Sequence, residues 1–187
     1  DADDIEKIFT GYTRELRKVL ASNYGKKDIN RHDLVWGTWN DGLFREVSEE
    51  LVLQEAKAVK EYFPSVKWIQ LDDGYAVYDK HAHGLGVPFE KNGIDRVKFP
   101  SGLKSLADKI RDIGLKPAVW VGGFCPVETE IYKTHPDWFI DYSKRIDISQ
   151  PLDVSKPEVR EYMLYAMSTF IKEYGFEGIK HDFWSYG

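Results

Sequence analysis

Segments with the pattern of a strand alternate with segments with the pattern of a helix along this chain, and no other feature restricts its fold as much. His32-Asp33-Leu34-Val35-Trp36-Gly37-Thr38-Trp39 reads as a strand. Ser48 then caps a helix to Phe63, with Leu51, Val52, Ala56, Val59 and Phe63 on one stripe, and Pro64 stops it. Val66-Lys67-Trp68-Ile69-Gln70-Leu71 is a second strand. Pro100-Ser101 opens a helix with Leu103, Leu106, Ile110 and Ile113 inward, and Gly114 closes it. Leu115 to Val121 is a third strand, with Pro117 placed near its start. Ser155-Lys156-Pro157-Glu158 has a capping-box pattern, and the helix behind it buries Val159, Met163, Ala166 and Phe170 before Gly175 ends it. Phe176 to Asp182 is a fourth strand. Residues 3–21, ahead of all this, read as a helix carrying Ile5, Ile8, Phe9, Tyr12, Leu16, Val19 and Leu20 near 3.6-residue spacing.

Strands separated by crossover helices run parallel. A parallel sheet with alternating helices is either doubly wound or a (β/α)8 barrel. The first strand is not followed by a glycine-rich phosphate loop, which counts against a dinucleotide-binding sheet. The expectation is therefore an α/β fold of the TIM-barrel type, with about four N-terminal βα units present: a partial barrel. Residues 1–32 are expected to be a helical lead-in and residues 33–187 the N-terminal half of the barrel.

Composition narrows the function. The 187 residues are 42% hydrophobic and 30% charged, a balance that suits a folded, water-exposed domain. A net charge of −5 is the wrong sign for a general nucleic-acid binder. No apolar run approaches the roughly 20 residues of a spanning helix, so no membrane role is expected. Cys125 is the only cysteine, which excludes an internal disulfide and a thiolate metal cage and leaves the compartment open. The acidic opening Asp1-Ala2-Asp3-Asp4 is unlike a signal peptide, and a start on Asp is expected of a processed, trimmed or excised chain. Aromatic residues reach 14%, compatible with stacking on sugar CH faces and equally with a large aromatic core.

Parallel α/β sheets and barrels place their sites at the carboxyl ends of the strands. Those ends here are Trp39-Asn40-Asp41, Asp72-Asp73-Gly74, Trp120 and Asp182, a set of carboxylates and tryptophans suited to a sugar. In Lys180-His181-Asp182, alternation along the strand puts Lys180 and Asp182 on one face and His181 on the other. A neighbouring ammonium holds a carboxylate ionised, and an ionised carboxylate at a barrel mouth can attack an anomeric carbon. The competing reading is a structural ion pair. Asp72 and Asp73 are adjacent, and Gly74 permits a sharp turn that bends both toward the mouth, where they would accept sugar hydroxyls. The competing reading is turn chemistry alone. Trp39 and Trp120 are candidate stacking walls, whereas Trp36 and Trp68 read as packing. His81-x-His83 has metal-pair spacing but sits in a glycine-containing loop without an adjacent third ligand, and Cys125 reads as a small loop residue.

The chain resembles the front half of the catalytic barrel of the α-galactosidases, glycoside hydrolase family 36 in particular. The matching stretches are Trp36-Gly37-Thr38-Trp39 with Ser48-Glu49-Glu50, Ile69-Gln70-Leu71-Asp72-Asp73-Gly74-Tyr75 and Phe99-Pro100-Ser101-Gly102-Leu103. They continue with Gly114-Leu115-Lys116, His135-Pro136-Asp137-Trp138-Phe139, Leu152 through Arg160, and Ile179-Lys180-His181-Asp182. The resemblance implies a retaining α-galactoside hydrolase that acts through a covalent glycosyl-enzyme. It implies Asp182 as nucleophile, Lys180 as a contact to sugar hydroxyls, Asp72 and Asp73 as holders of the axial 4-hydroxyl and the 6-hydroxyl, and Trp39 and Trp120 as pocket lining. It implies no metal and no organic cofactor. The expected partners are a galactoside or oligosaccharide and the remainder of the barrel, in the parent chain or a second chain. The family's general acid comes from a later strand, beyond residue 187, and its usual N-terminal β-sandwich is not in this chain.

The sequence departs from the family pattern at His181, commonly Trp, at Trp184, often Asn, and at Tyr75, more often Trp. Barrel relatives include N-acetylgalactosaminidases and galactosyl transferases of the raffinose-synthase kind. A chitinase-like barrel would need its catalytic Glu at Trp184, which cannot donate a proton as that chemistry requires. A metal-dependent hydrolase would need His81 and His83 as ligands. A non-catalytic carbohydrate-binding module is the alternative from a different class.

Overall fold

A computed structural model describes residues 33–77, 84–85, 87–89, 93–141 and 149–183, with eight further residues between 7 and 19. The chain divides into two units, Asp1–Asp33 and Leu34–Gly187. In the first, the described residues between 7 and 19 are helical, as their spacing predicts. Of the apolar stripe, Tyr12, Leu16 and Val19 have described side chains, and all three are exposed.

The second unit is built on a four-stranded parallel sheet. Its strands are β1 (Leu34–Gly37), β2 (Val66–Leu71), β3 (Lys116–Gly122) and β6 (Gly178–Asp182), in the order β1-β2-β3-β6. Helices α1 (Glu49–Tyr62), α2 (Gly102–Asp112) and α4 (Pro157–Lys172) make the crossovers, with a short α3 (Glu130–Thr134) before α4. This is the predicted half barrel, four strands in chain order with a helix after each of the first three.

Each element follows from local chemistry. The Ser48 side chain accepts the Leu51 N–H at 3.3 Å and so starts α1, which buries Val52, Ala56 and Val59. α2 packs on β3 through a stripe of Leu103, Leu106, Ala107 and Ile110. Pro117 occupies the second position of β3, where a missing N–H costs the ladder least. The capping box expected at Ser155 does not form. Pro157 is the first residue of α4 and makes Lys156 its N-cap, while the Ser155 hydroxyl donates to Asp153 at 2.6 Å.

The strand register assigns the two faces. Ile69, Leu71, Val119 and Val121 belong to the core under the helices, with Trp36 and Ile179 packed against it. The other parity is the barrel interior: Gln70 pairs with Ala118, Trp120 with Lys180, and Gly122 with Asp182. Large and small residues alternate there. A Cβ on Gly122 would lie 2.7 Å from the Trp120 ring, so glycine makes room for that indole.

The connection between β3 and α4 holds three elements that the sequence pattern does not show, the short α3 and two strands. β4 (Phe124–Pro126) and β5 (Ser149–Pro151) form a two-stranded antiparallel sheet beyond the end of β3, pairing Cys125 with Gln150. Three-residue strands containing prolines give no periodicity to read.

Candidate active site

The strand ends converge on one cavity of about 180 Å³. Trp39, Asp72, Asp73, Trp120, Lys180 and Asp182 all line it. The volume is below the roughly 300–1,000 Å³ of a drug-sized ligand pocket. Arg45 and Phe183 line it as well, and neither was singled out from the sequence.

Asp182, the last residue of β6, is held by a ring of donors. The Trp120 indole N–H donates to Oδ2 at 3.0 Å, and the Lys180 ammonium stands 3.6 Å from the same oxygen. The Phe183 N–H donates to Oδ1 at 3.0 Å. Phe183 reaches that geometry with a φ of 58°, a left-handed conformation uncommon for a bulky residue. Such backbone conformations persist where surrounding contacts impose them. Here the Phe183 ring packs against Trp120 and Phe124, with centroids 6.4 and 5.5 Å away.

Lys180 is closer to Asp72 than to Asp182. Its ammonium donates to Asp72 Oδ2 at 2.8 Å, so it bridges two carboxylates rather than serving Asp182 alone. Asp72 is 3% exposed and accepts further bonds from Gln70 Nε2 at 2.7 Å and from the Asp73 N–H at 2.9 Å. Its own N–H donates to the buried Thr38 hydroxyl at 3.0 Å, which ties the end of β2 to the end of β1. Asp73, 6% exposed, faces the Arg45 guanidinium, with Nε 3.5 Å from Oδ2. Gly74 makes this turn with a φ of +117°, and both carboxyls reach the same cavity.

The two tryptophans differ in what they offer. Trp39 is half-buried and packs edge-on against Phe44, with centroids 5.2 Å apart. Trp120 is 3% exposed, so it presents little ring surface, and its N–H is engaged by Asp182. Beneath it, Tyr75 donates its hydroxyl to the Trp120 carbonyl at 2.9 Å. Burial first, then the charges of Asp73 and Asp72, push the Tyr75 phenol well above its ordinary range, so it stays a donor. His181 lies outside this cavity, as alternation along β6 predicts. Partial burial pushes its imidazole below the ordinary value.

Cys125 is fully buried in β4 and does not line the cavity. Trp36 packs on Phe63 and donates to Asp41, and Trp68 lies under the Lys116 ammonium. Both are packing residues, as read. His81 and His83 lie outside the described residues. Among the described residues, no cluster of three or more His, Cys, Asp or Glu side chains could hold a metal ion, and no helix is long and apolar enough to cross a membrane.

The sheet and its cavity define the first half of a (β/α)8 barrel with an acidic, aromatic rim. Solved structures share this fold. The α-galactosidase of Lactobacillus brevis superposes with a TM-score of 0.68 at 23% identity, over 85% of this chain and 21% of that one. The GH36 α-galactosidase AgaA of Geobacillus stearothermophilus gives a TM-score of 0.66 at 23% identity, over 81% of this chain and 21% of that one. A family model described as Melibiase matches residues 3–185, and the chain belongs to this family.

By sequence, the chain is similar to AgaA at 25% identity over 174 residues, 90% of this chain and 23% of that protein. It is 26% identical over 176 residues to an α-galactosidase of Oryza sativa subsp. japonica, which covers 87% of this chain and 38% of that protein. With α-galactosidase 2 of Pediococcus pentosaceus the identity is 28% over 123 residues, 63% of this chain and 17% of that protein. The chain thus spans less than two fifths of the length of these curated relatives.

Proposed function

We propose that this chain is the N-terminal half of the catalytic barrel of a retaining α-galactoside hydrolase, with residues 1–32 as a helical lead-in and Asp182 as the nucleophile. The observation that carries the reading is the setting of Asp182. It stands at the carboxyl end of a barrel strand, at the cavity, with an indole N–H, a backbone N–H and an ammonium around its carboxylate. Donors of that kind fix the direction of a carboxylate through charge-assisted hydrogen bonds.

The chemistry follows from two carboxyl groups acting in turn. The Asp182 carboxylate attacks the anomeric carbon as the bond to the leaving oxygen breaks, and a carboxylic acid gives that oxygen its proton. The sugar is then an ester of Asp182. Water attacks the same carbon, gives its proton to the second carboxylate and releases Asp182. Inversion twice retains the configuration. The second carboxyl is assigned to the remainder of the barrel. The bonds of Asp72 to Lys180 and Gln70 and the position of Asp73 beside Arg45 support a role for both in holding the ring. Trp39 and Trp120 complete the sugar's surroundings.

Relatives whose names state α-galactosidase activity support the substrate class. Among structures of similar fold, variants of AgaA are described in complex with raffinose and with stachyose. The test is Asp182→Ala in the full-length protein. Turnover of an aryl α-galactoside should be lost with the fold intact, and azide should restore part of it as β-galactosyl azide. Near-normal kcat in the variant removes Asp182 from the role. A galactoside built up on an acceptor sugar in preference to hydrolysis would instead mark a transferase.

A further inference from the structure

We propose that Arg45 is a specificity-determining residue that forms, with Asp73, a matched donor and acceptor for one hydroxyl of the bound sugar. The proposal rests on the reading of this cavity as a sugar site. Arg45 escapes a strand-end search because it lies in the 3-10 turn Phe44–Glu46, between β1 and α1.

The turn is held against the end of β2 from two directions. The Lys98 ammonium donates to the Arg45 carbonyl at 2.5 Å. Lys98 is itself anchored, since its N–H donates to Asp95 Oδ1 at 3.0 Å and its carbonyl accepts the Glu49 N–H at 2.9 Å. On the other side, Gly74 leaves the space the turn occupies. A Cβ there would lie 3.0 Å from the Arg45 Cα and 3.2 Å from its carbonyl oxygen. The backbone of Arg45 is thus fixed, its guanidinium is set beside buried Asp73, and it lines the cavity.

The chemistry of the pair identifies its ligand. An ionised carboxylate only accepts hydrogen bonds, and a guanidinium only donates them, through five N–H groups in a planar fork. A hydroxyl does both. One sugar hydroxyl placed between them donates to Asp73 and accepts from Arg45, so both of its functions meet a charged partner. The Lys180–Asp72 pair, 2.8 Å apart, offers the same combination to a second hydroxyl. The cavity favours a neutral sugar over an anionic one, because Asp72, Asp73 and Asp182 outnumber Lys180 and Arg45. Lysine at position 45 would be a poor substitute, having a point charge where the fork spans two partners.

The experiment compares the full-length protein with its R45A and R45K variants. Steady-state kinetics are measured on an aryl α-galactoside and on its monodeoxy analogues. Calorimetry measures binding of a panel of neutral methyl α-hexosides. On the intact galactoside, R45A should raise KM roughly tenfold or more, as loss of a charged hydrogen bond does, with a smaller fall in kcat. R45K should recover only part of this. One monodeoxy analogue, lacking the hydroxyl in question, should be indifferent to R45A. An unchanged KM, or an equal penalty on every analogue, overturns the proposal, since a merely structural arginine would act on all alike. Absence of any α-galactoside turnover defeats the galactosidase reading separately, and the hexosides then decide. A hexoside whose Kd weakens about tenfold in R45A sustains the assignment. A bound hexoside whose Kd does not move, or no bound hexoside at all, ends it.

Discussion

Asp182 is positioned by donors drawn from two strands and the residue after it, and the indole N–H of Trp120 is the one that can be deleted without changing a charge. Trp120→Phe keeps an aromatic ring over the same strand and removes that donor. A hydrogen bond to a charged group contributes about 1.5–3 kcal/mol, so kcat/KM on an aryl α-galactoside should fall roughly tenfold or more while the circular-dichroism spectrum is kept. Unchanged kinetics would make the Trp120–Asp182 bond incidental to the chemistry. At this scale much was legible. Trp39, Asp72, Asp73, Trp120 and Asp182 were picked by one rule, the carboxyl ends of parallel strands, and Lys180 by its alternation with Asp182; one cavity collects them, whereas Asn40 and Asp41, picked by the same rule, line a separate one. The rule failed where position does not come from a strand end. Arg45 arrives on a turn, and Phe183 contributes its backbone N–H, which no side-chain pattern encodes.

Between elements, the tie from α1 to α2 was invisible in the sequence because its partners lie far apart in the chain. Glu49, 7% exposed at the first position of α1, accepts from the Ser101 hydroxyl at 2.5 Å, the Ser101 N–H at 3.0 Å and the Lys109 ammonium at 2.6 Å. This also explains why Ser101 places no side-chain cap on α2. Burial raises the Glu49 carboxyl, but the bonds from Lys109 and Ser101 outweigh it and hold the group below its ordinary value of 4.5. A depressed folded-state value means that Glu49 stabilises the fold above its unfolded value, and that this stability is lost as pH falls through the folded value. Urea melts from pH 7 down to pH 3 should therefore show a steeper acid loss of stability in the unmodified protein than in Glu49→Gln. Parallel acid limbs would refute the assignment. The strands themselves were readable to within a residue or two. Helix spacing, Pro64, Gly114 and Gly175 punctuate the crossovers, whereas β4 and β5 are too short to carry a period.

For the molecule as a whole, the open sides of the sheet matter most. β1 leaves Leu34 and Val35 more than half exposed, and α4 exposes Leu164 and Tyr165 to a similar degree. Unpaired strand edges and exposed apolar side chains favour association. The half-barrel reading therefore predicts that residues 1–187 in isolation self-associate in light scattering and turn over no aryl α-galactoside. Turnover by the isolated monomer would place the acid inside this chain. The central claim is that Asp182 forms the glycosyl-enzyme, and covalent trapping tests it most directly. The full-length protein is incubated with a fluorinated α-galactoside that carries a good leaving group and hydrolyses slowly, then digested and sequenced by mass spectrometry. The account predicts a single galactosyl ester on Asp182. An ester on another carboxylate, or inactivation with the label on no carboxylate at all, would contradict it.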